Sequence, residues 1–236
     1  MKTFSTINYT INWNGDSAIT LYFERDAGEE LTLFLLTLKN AFKSYFSSKV
    51  QDIIPAYQSL TLYFDITSID IKKINESVHQ IINDVSNQEL KTIHSRLVEI
   101  PVCYNEAYAP DIASLAMQCQ LSVKEVIDLH TQKDYLVNML GFLPGFLYLS
   151  GLNEQLFCPR KHSPALNVPA GAIGIGGNQT GIYPVESPGG WQLIGRTPVS
   201  IFNPLENDPF IAQPLDRIRF IAIDKNEFEQ LIALNS

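Results

Sequence analysis

Glycine and proline crowd into one part of this chain: 11 of its 13 glycines fall between positions 141 and 195, and 10 of its 13 prolines between 144 and 214. A stretch so rich in residues that interrupt regular elements folds as short strands joined by tight turns, as barrels and sandwiches do. Before Gly141 the sequence instead alternates strand and helix patterns. The chain is therefore read as two architectures in succession, and with 236 residues, 45% of them apolar, it can bury its core without disulfide or metal staples.

In the first part Ile19, Leu21 and Phe23 alternate with Thr20, Tyr22 and Glu24, and Leu60, Leu62 and Phe64 with Thr61, Tyr63 and Asp65. Both runs have the period of two expected of half-buried strands. Leu31, Phe34, Leu35, Leu38, Ala41, Phe42 and Tyr45 recur at the helical period, as do Ile71, Ile74, Val78, Ile81, Ile82 and Val85. Helices on a small sheet bury those faces, so residues 1–92 are expected to form a small α/β sandwich domain and the whole chain an α+β protein. A strand through Leu97–Val102 follows, then a helix presenting Ile112, Leu115, Ala116 and Cys119. Ser122 and Glu125 have the spacing of a capping box and open a second helix with Val123, Val126 and Ile127 on its apolar face. Leu215–Ile223, with Arg217 and Arg219 on a wet face, reads as a closing strand. These elements and the turn-rich stretch make up a second domain, 93–236.

Seventeen Lys and Arg against 25 Asp and Glu give a net charge of −8, and the basic residues are scattered, which argues against nucleic-acid binding. The opening MKTFSTINYT has no continuous apolar core, and the greasiest run, Leu31–Leu38, is far short of the ~20 residues of a membrane span. A cytoplasmic protein with no membrane association is expected. Cys103, Cys119 and Cys158 are widely spaced and read as free, buried thiols. His79, His94, His130 and His162 are too dispersed for a metal site; His79 reads as a solvent-facing helical residue and His130 as a helix-end residue complementing the dipole.

The glycine-dense run Gly171–Gly181 resembles a phosphate loop only superficially. Counted from Gly174, a G-x-G-x-x-G motif needs glycine where Gln179 stands, and no lysine occurs from 162 to 224. Tight turns and close strand contacts account better for these glycines. No G-x-S-x-G elbow exists; Ser187 precedes a Pro-Gly pair and is either a turn serine or a pocket hydroxyl. The unusual feature is a polar set, Arg160, Asn178, Gln179, Thr180, Tyr183, Ser187, Gln192 and Arg196, within otherwise apolar sequence. Such groups either satisfy loop backbone or bind a carboxylate or phosphate in a pocket walled by Phe142, Phe146, Tyr148 and Trp191.

Several ordered motifs carry a family resemblance: Ile100-Pro101-Val102-Cys103-Tyr104, Pro110-Asp111, Leu129-His130, Met139-Leu140-Gly141-Phe142 with Pro144-Gly145-Phe146, Pro159-Arg160, Val168-Pro169-Ala170-Gly171, Gln179-Thr180-Gly181-Ile182-Tyr183-Pro184, and Glu186-Ser187-Pro188-Gly189-Gly190-Trp191-Gln192 through Pro198. They resemble the family of 5-oxoprolinase B subunits, also called allophanate hydrolase subunit 1 or the Kip I histidine-kinase-inhibitor family. The resemblance implies that the second domain is a cyclophilin-like β barrel. It also implies partners, a C-subunit homologue and an ATP-handling A-subunit homologue, with which such a chain converts 5-oxoproline, ATP and water to glutamate, ADP and phosphate, itself holding no cofactor. On that reading Arg160 and Arg196 grip a carboxylate or acyl-phosphate, Gln179, Tyr183 and Ser187 orient the ring amide, and no residue stands out as the catalytic nucleophile. The same resemblance leaves two other roles open: inhibition of a sporulation-type histidine kinase, or one half of the carboxyltransferase in a biotin-dependent urea or amide carboxylase.

Overall fold

The computed structural model describes residues 4, 7–65, 67, 70–90 and 95–235, the side chains of 71, 72 and 235 excepted. The chain divides into two compact units, Met1–His94 and Ser95–Ser236. The domain boundary expected at 92/93, together with His94, falls outside the described residues, as does the side chain of Ile71.

The first unit runs β1 (Tyr9–Asn14), β2 (Ala18–Phe23), α1 (Glu29–Phe46), β3 (Val50–Pro55), β4 (Ser59–Phe64) and α2 (Ile71–Ser86). Its antiparallel sheet has the order β1-β2-β4-β3. The two strands expected from alternation, β2 and β4, occupy the centre of the sheet. The edge strands are less legible: β1 buries Tyr9, Ile11 and Trp13 only partly, and β3 shifts register between Val50 and Asp52, which destroys its period of two. Both helices turn an apolar face to one core. Leu31, Phe34, Leu35, Leu38 and Phe42 of α1 are almost fully buried with Ile74, Val78, Ile81, Ile82 and Val85 of α2, each burial stabilising by about 1.5–3 kcal/mol. One expectation is corrected here. Phe46, 7% exposed, closes the α1 stripe, and Tyr45 is 56% exposed, because the step from Leu38 through Phe42 to Phe46 keeps the i+4 row that faces the sheet.

The second unit contains β5 (Leu97–Cys103), α3 (Ile112–Gln118), α4 (Val123–Thr131), β6 (Asp134–Leu140), β7 (Leu147–Ser150), β8 (Ala165–Val168), β9 (Ala172–Gly176), β10 (Gln179–Ile182), β11 (Ser187–Gly189), β12 (Gln192–Arg196), β13 (Arg217–Ile223) and α5 (Lys225–Asn235). Seven strands close a barrel in the order β10-β7-β6-β13-β5-β12-β9, while β8 and β11 form a separate ribbon. Closure leaves the barrel no free edge. The chain is thus an α+β protein with a small helix-on-sheet unit followed by a β barrel. The capping box forms as expected, Glu125 N donating to Ser122 Oγ and Ser122 N to Glu125 Oε2. Val123, 37% exposed, does not share the buried face of α4, which is made by Val126 and His130. The three cysteines are free; Cys103 and Cys158 are buried and Cys119 half-buried.

Asp216 anchors the approach to β13. Burial alone would push its carboxyl pKa up, but hydrogen bonds from Arg96 Nη2 (2.7 Å), Arg96 N (2.9 Å) and Gln213 N (2.9 Å) hold it below the usual carboxylate range. On the strand itself, Arg219 forks onto Asp134 of β6, Nε to Oδ1 at 2.7 Å and Nη2 to Oδ2 at 2.9 Å.

Candidate functional site

The two faces of the β9–β10 hairpin are built differently. The strands pair Gly181 with Gly174 and Gln179 with Gly176. On the outer face those glycines leave room for an indole: a Cβ on Gly176 would come within 2.7 Å of the Trp191 ring, on Gly174 within 2.9 Å of Trp191 Cβ, and on Gly181 within 2.6 Å of Leu147 O. The glycine-dense segment is therefore a bed for Trp191, and the close-contact explanation holds over the phosphate-loop one.

Around that indole an aromatic group assembles. Phe146 sits at its centre, with ring centroids at 4.7 Å to Tyr148, 4.9 Å to Tyr183, 5.4 Å to Trp191 and 5.7 Å to Phe142. Tyr183 is fully buried; burial raises its phenol pKa although the backbone N–H of Trp191 donates to its oxygen. Gly189 can carry no side chain, because a Cβ there would lie 2.5 Å from Tyr183 Oη. Phe142, at φ 66° and 62% exposed, stands at the rim. A bulky residue in that region is strained, and such strain concentrates at functional turns.

These rings line a cleft of about 310 Å³ with Arg160, Lys161 and the Pro188–Trp191 turn. Lys161 is tied down: its ammonium pairs with Asp111, whose Oδ2 also accepts Leu193 N, and its backbone N donates to Gly190 O. The guanidinium of Arg160 lies 5.8 Å from the Trp191 ring centroid, has no carboxylate partner among the described residues and holds its charge at the cleft. Tyr148 is also a raised phenol, pushed up by burial and opposed by the Arg160 charge. The arrangement offers apolar walls for a small ring and one free cation for an acid group.

The structure thus brings Arg160 and Tyr183 together with Phe142, Phe146, Tyr148 and Trp191, and sets the remaining site candidates apart. Arg196 lines a different cleft and spends its Nε on Ala170 O at 2.9 Å, so the two arginines do not form one clamp. Ser187 Oγ donates to the neighbouring Pro188 O at 3.2 Å, as a turn hydroxyl does. Gln179 begins β10 half-buried, outside the aromatic cleft; Gln192 binds Pro159 O, and Asn178 is exposed in the hairpin turn. Nearness in sequence does not bring these groups to one place: Arg196 ends β12, five residues beyond Trp191, and Ser187 lies on the separate β8–β11 ribbon.

The inner face of the hairpin carries a polar relay that local patterns do not reveal. Thr180 Oγ1 donates to Gly174 O at 3.0 Å, so it accepts from His130 Nε2, also at 3.0 Å; His130 Nδ1 in turn accepts from Tyr104 Oη at 2.7 Å. Every member is buried, Phe220 stacks on the imidazole at 4.6 Å, and desolvation lowers the His130 pKa to about 3. His130 is a neutral core residue and not a charge that complements the helix dipole. Its partners lie 26 and 50 residues away in sequence, beyond any local signal. His79 is exposed as expected and meets the Tyr9 hydroxyl.

The carboxyltransferase domain family, subdomains C and D, matches residues 9–212. The chain is 37% identical to the 5-oxoprolinase B subunit of Bacillus subtilis over 94% of its own length and 96% of the relative's. It is 53% identical to the 5-oxoprolinase B subunit of Escherichia coli O157:H7, over 54% of this chain and 58% of that one. Among solved structures, TTHA0988 superposes with a TM-score of 0.74 at 33% identity; the match covers 88% of this chain and 40% of that one. Within the structure no helix among the described residues is long and apolar enough to cross a membrane. The run of motifs from Ile100 to Pro198 and the likeness along nearly the whole length agree: the chain belongs to the carboxyltransferase subdomain C and D family and, within it, to the family of 5-oxoprolinase B subunits.

Proposed function

We propose that this chain is the non-ATP-binding B subunit of a cytoplasmic, ATP-dependent 5-oxoprolinase, and that its aromatic cleft receives the cyclic amide acid. The observation that carries the reading is Arg160, a cation without a carboxylate partner among the described residues, at the mouth of a ring-lined cleft of about 310 Å³. A five-membered lactam with one carboxylate matches that combination of apolar wall and single positive charge. The lining offers no activated nucleophile, since the Tyr148 and Tyr183 phenols are pushed up by burial and stay protonated. The chain's contribution is positioning and fixed charge, which can lower a barrier by several kcal/mol, while water or a group from the partner completes ring opening.

ATP belongs to an A-subunit partner on this reading. The glycines that could have cradled phosphate are filled by Trp191, and no lysine stands among them. A C-subunit homologue is the second partner; that a region like this chain makes up 40% of the longer TTHA0988 polypeptide supports a segment that works beside another. The test is co-expression with the A and C partners and an assay of 5-oxoproline-dependent release of ADP and glutamate, each component omitted in turn. Turnover that disappears without this chain supports the assignment. Turnover that persists without it, or an assembled complex that is inactive, refutes it.

A further inference from the structure

At least three of the six arginines of this chain are neutralised by a neighbouring carboxylate. Arg25, Arg96 and Arg219 each meet a carboxylate, from Glu30, Asp216 and Asp134. Arg196 does not: half-buried at the end of β12, it donates Nε to Ala170 O at 2.9 Å and, among the described residues, offers its two Nη groups to no acceptor. In a chain of net charge −8, a half-buried guanidinium without a counter-ion is a cation kept for something else, since its desolvation is uncompensated in the free protein.

Its surroundings say what. Arg196 lines a cleft of about 570 Å³ in which, among the described residues, it is the only charged one. Pro184, Val199 and Ile232 of α5 give apolar walls. Thr197 Oγ1 accepts from Val199 N at 3.2 Å, which pins the loop beside Arg196. The bond to Ala170 O fixes the plane of the guanidinium, which prepares the Nη pair for a forked contact with an oxyanion.

We propose that this cleft is a second small-anion site, separate from the aromatic cleft, which takes a carboxylate or phosphate group borne on a short apolar body. It does not depend on the oxoprolinase assignment. Inorganic phosphate and propionate separate the two sources of the anion: each is titrated into the whole chain while the backbone N–H resonances of Gly171 and Thr197, which line the cleft and remain in every variant, are followed by NMR. Saturable shifts with phosphate, propionate or both support the site and identify the anion. R196Q, which keeps a polar side chain without the charge, should weaken binding about tenfold or more, as loss of a charged hydrogen-bond pair does. R160Q should leave it unchanged. I232E provides an independent check should R196Q fold poorly, because a carboxylate built into the wall would occupy Arg196 and abolish the shift. No saturable shift with either anion, or equal affinity in R196Q or I232E, overturns the proposal.

Discussion

The sheet of the first unit and the β9–β10 hairpin of the barrel are both antiparallel, but they cover their packed faces by opposite means. In the first, Leu21, Phe23, Leu62 and Phe64 supply bulk that interlocks with Phe34 and Leu38 of the helix. In the second, Gly174, Gly176 and Gly181 withdraw bulk so that Trp191 can lie against bare backbone. A core made of large side chains is specified by every strand and tolerates adjustment. A bed of glycines is specified by what is missing, and any added atom meets backbone or an immovable ring.

The difference can be broken open by substitution. Phe34→Ala empties the first core and should cost about 3–5 kcal/mol, read by chemical denaturation, with near-UV signals of the Trp191 cluster unchanged at denaturant levels where the barrel remains folded. Gly181→Ala should cost about 1–3 kcal/mol by overpacking, since the new methyl meets Leu147 O at 2.6 Å, and should red-shift Trp191 fluorescence. Gly28→Ala, where nothing lies within 4 Å of the new atom, should cost no more than about 1 kcal/mol, the loss of a good N-cap residue of α1. Equal effects at Gly181 and Gly28 would show that the bed is looser than its geometry.

The hairpin's inner face is tested by pH. His130 is held neutral with a pKa of about 3, against an ordinary 6.5. The unfolded chain therefore binds a proton below about pH 6.5 that the folded chain refuses. Its contribution is complete above that pH and declines as pH falls toward 3, by at most about 1.4 kcal/mol per unit. His130→Gln should remove that slope between about pH 4 and 6 while Asp216 still drives loss of stability at lower pH; an unaltered slope would mean the imidazole is not desolvated. Arg160→Gln removes the cation over Trp191 and should change stability by about 0.5–1 kcal/mol.

Much of the fold is legible in the sequence because burial alternates simply where one face is wet. Ile19–Phe23, Leu60–Phe64 and the two helices of the first unit follow their periods into the core. The barrel is legible as a class, from its glycines and prolines, but not in its face assignments. The site is half legible. Arg160 and the four aromatic walls meet in space because they sit on one side of successive strands and turns, whereas Arg196, Gln179 and Ser187 are joined to them by sequence proximity alone. The His130 relay is illegible, since its meaning depends on Tyr104 and Thr180 arriving from separate parts of the barrel and on the direction of the Thr180 hydroxyl.

The aromatic cleft as the place where substrate meets this chain is tested most directly in the assembled complex, by steady-state kinetics of Arg160→Gln with 5-oxoproline as the varied substrate. The account predicts a KM raised about tenfold or more, as for loss of one charged contact, in a complex that assembles normally and melts within a few degrees of wild type. A variant with unchanged KM and unchanged kcat would contradict it.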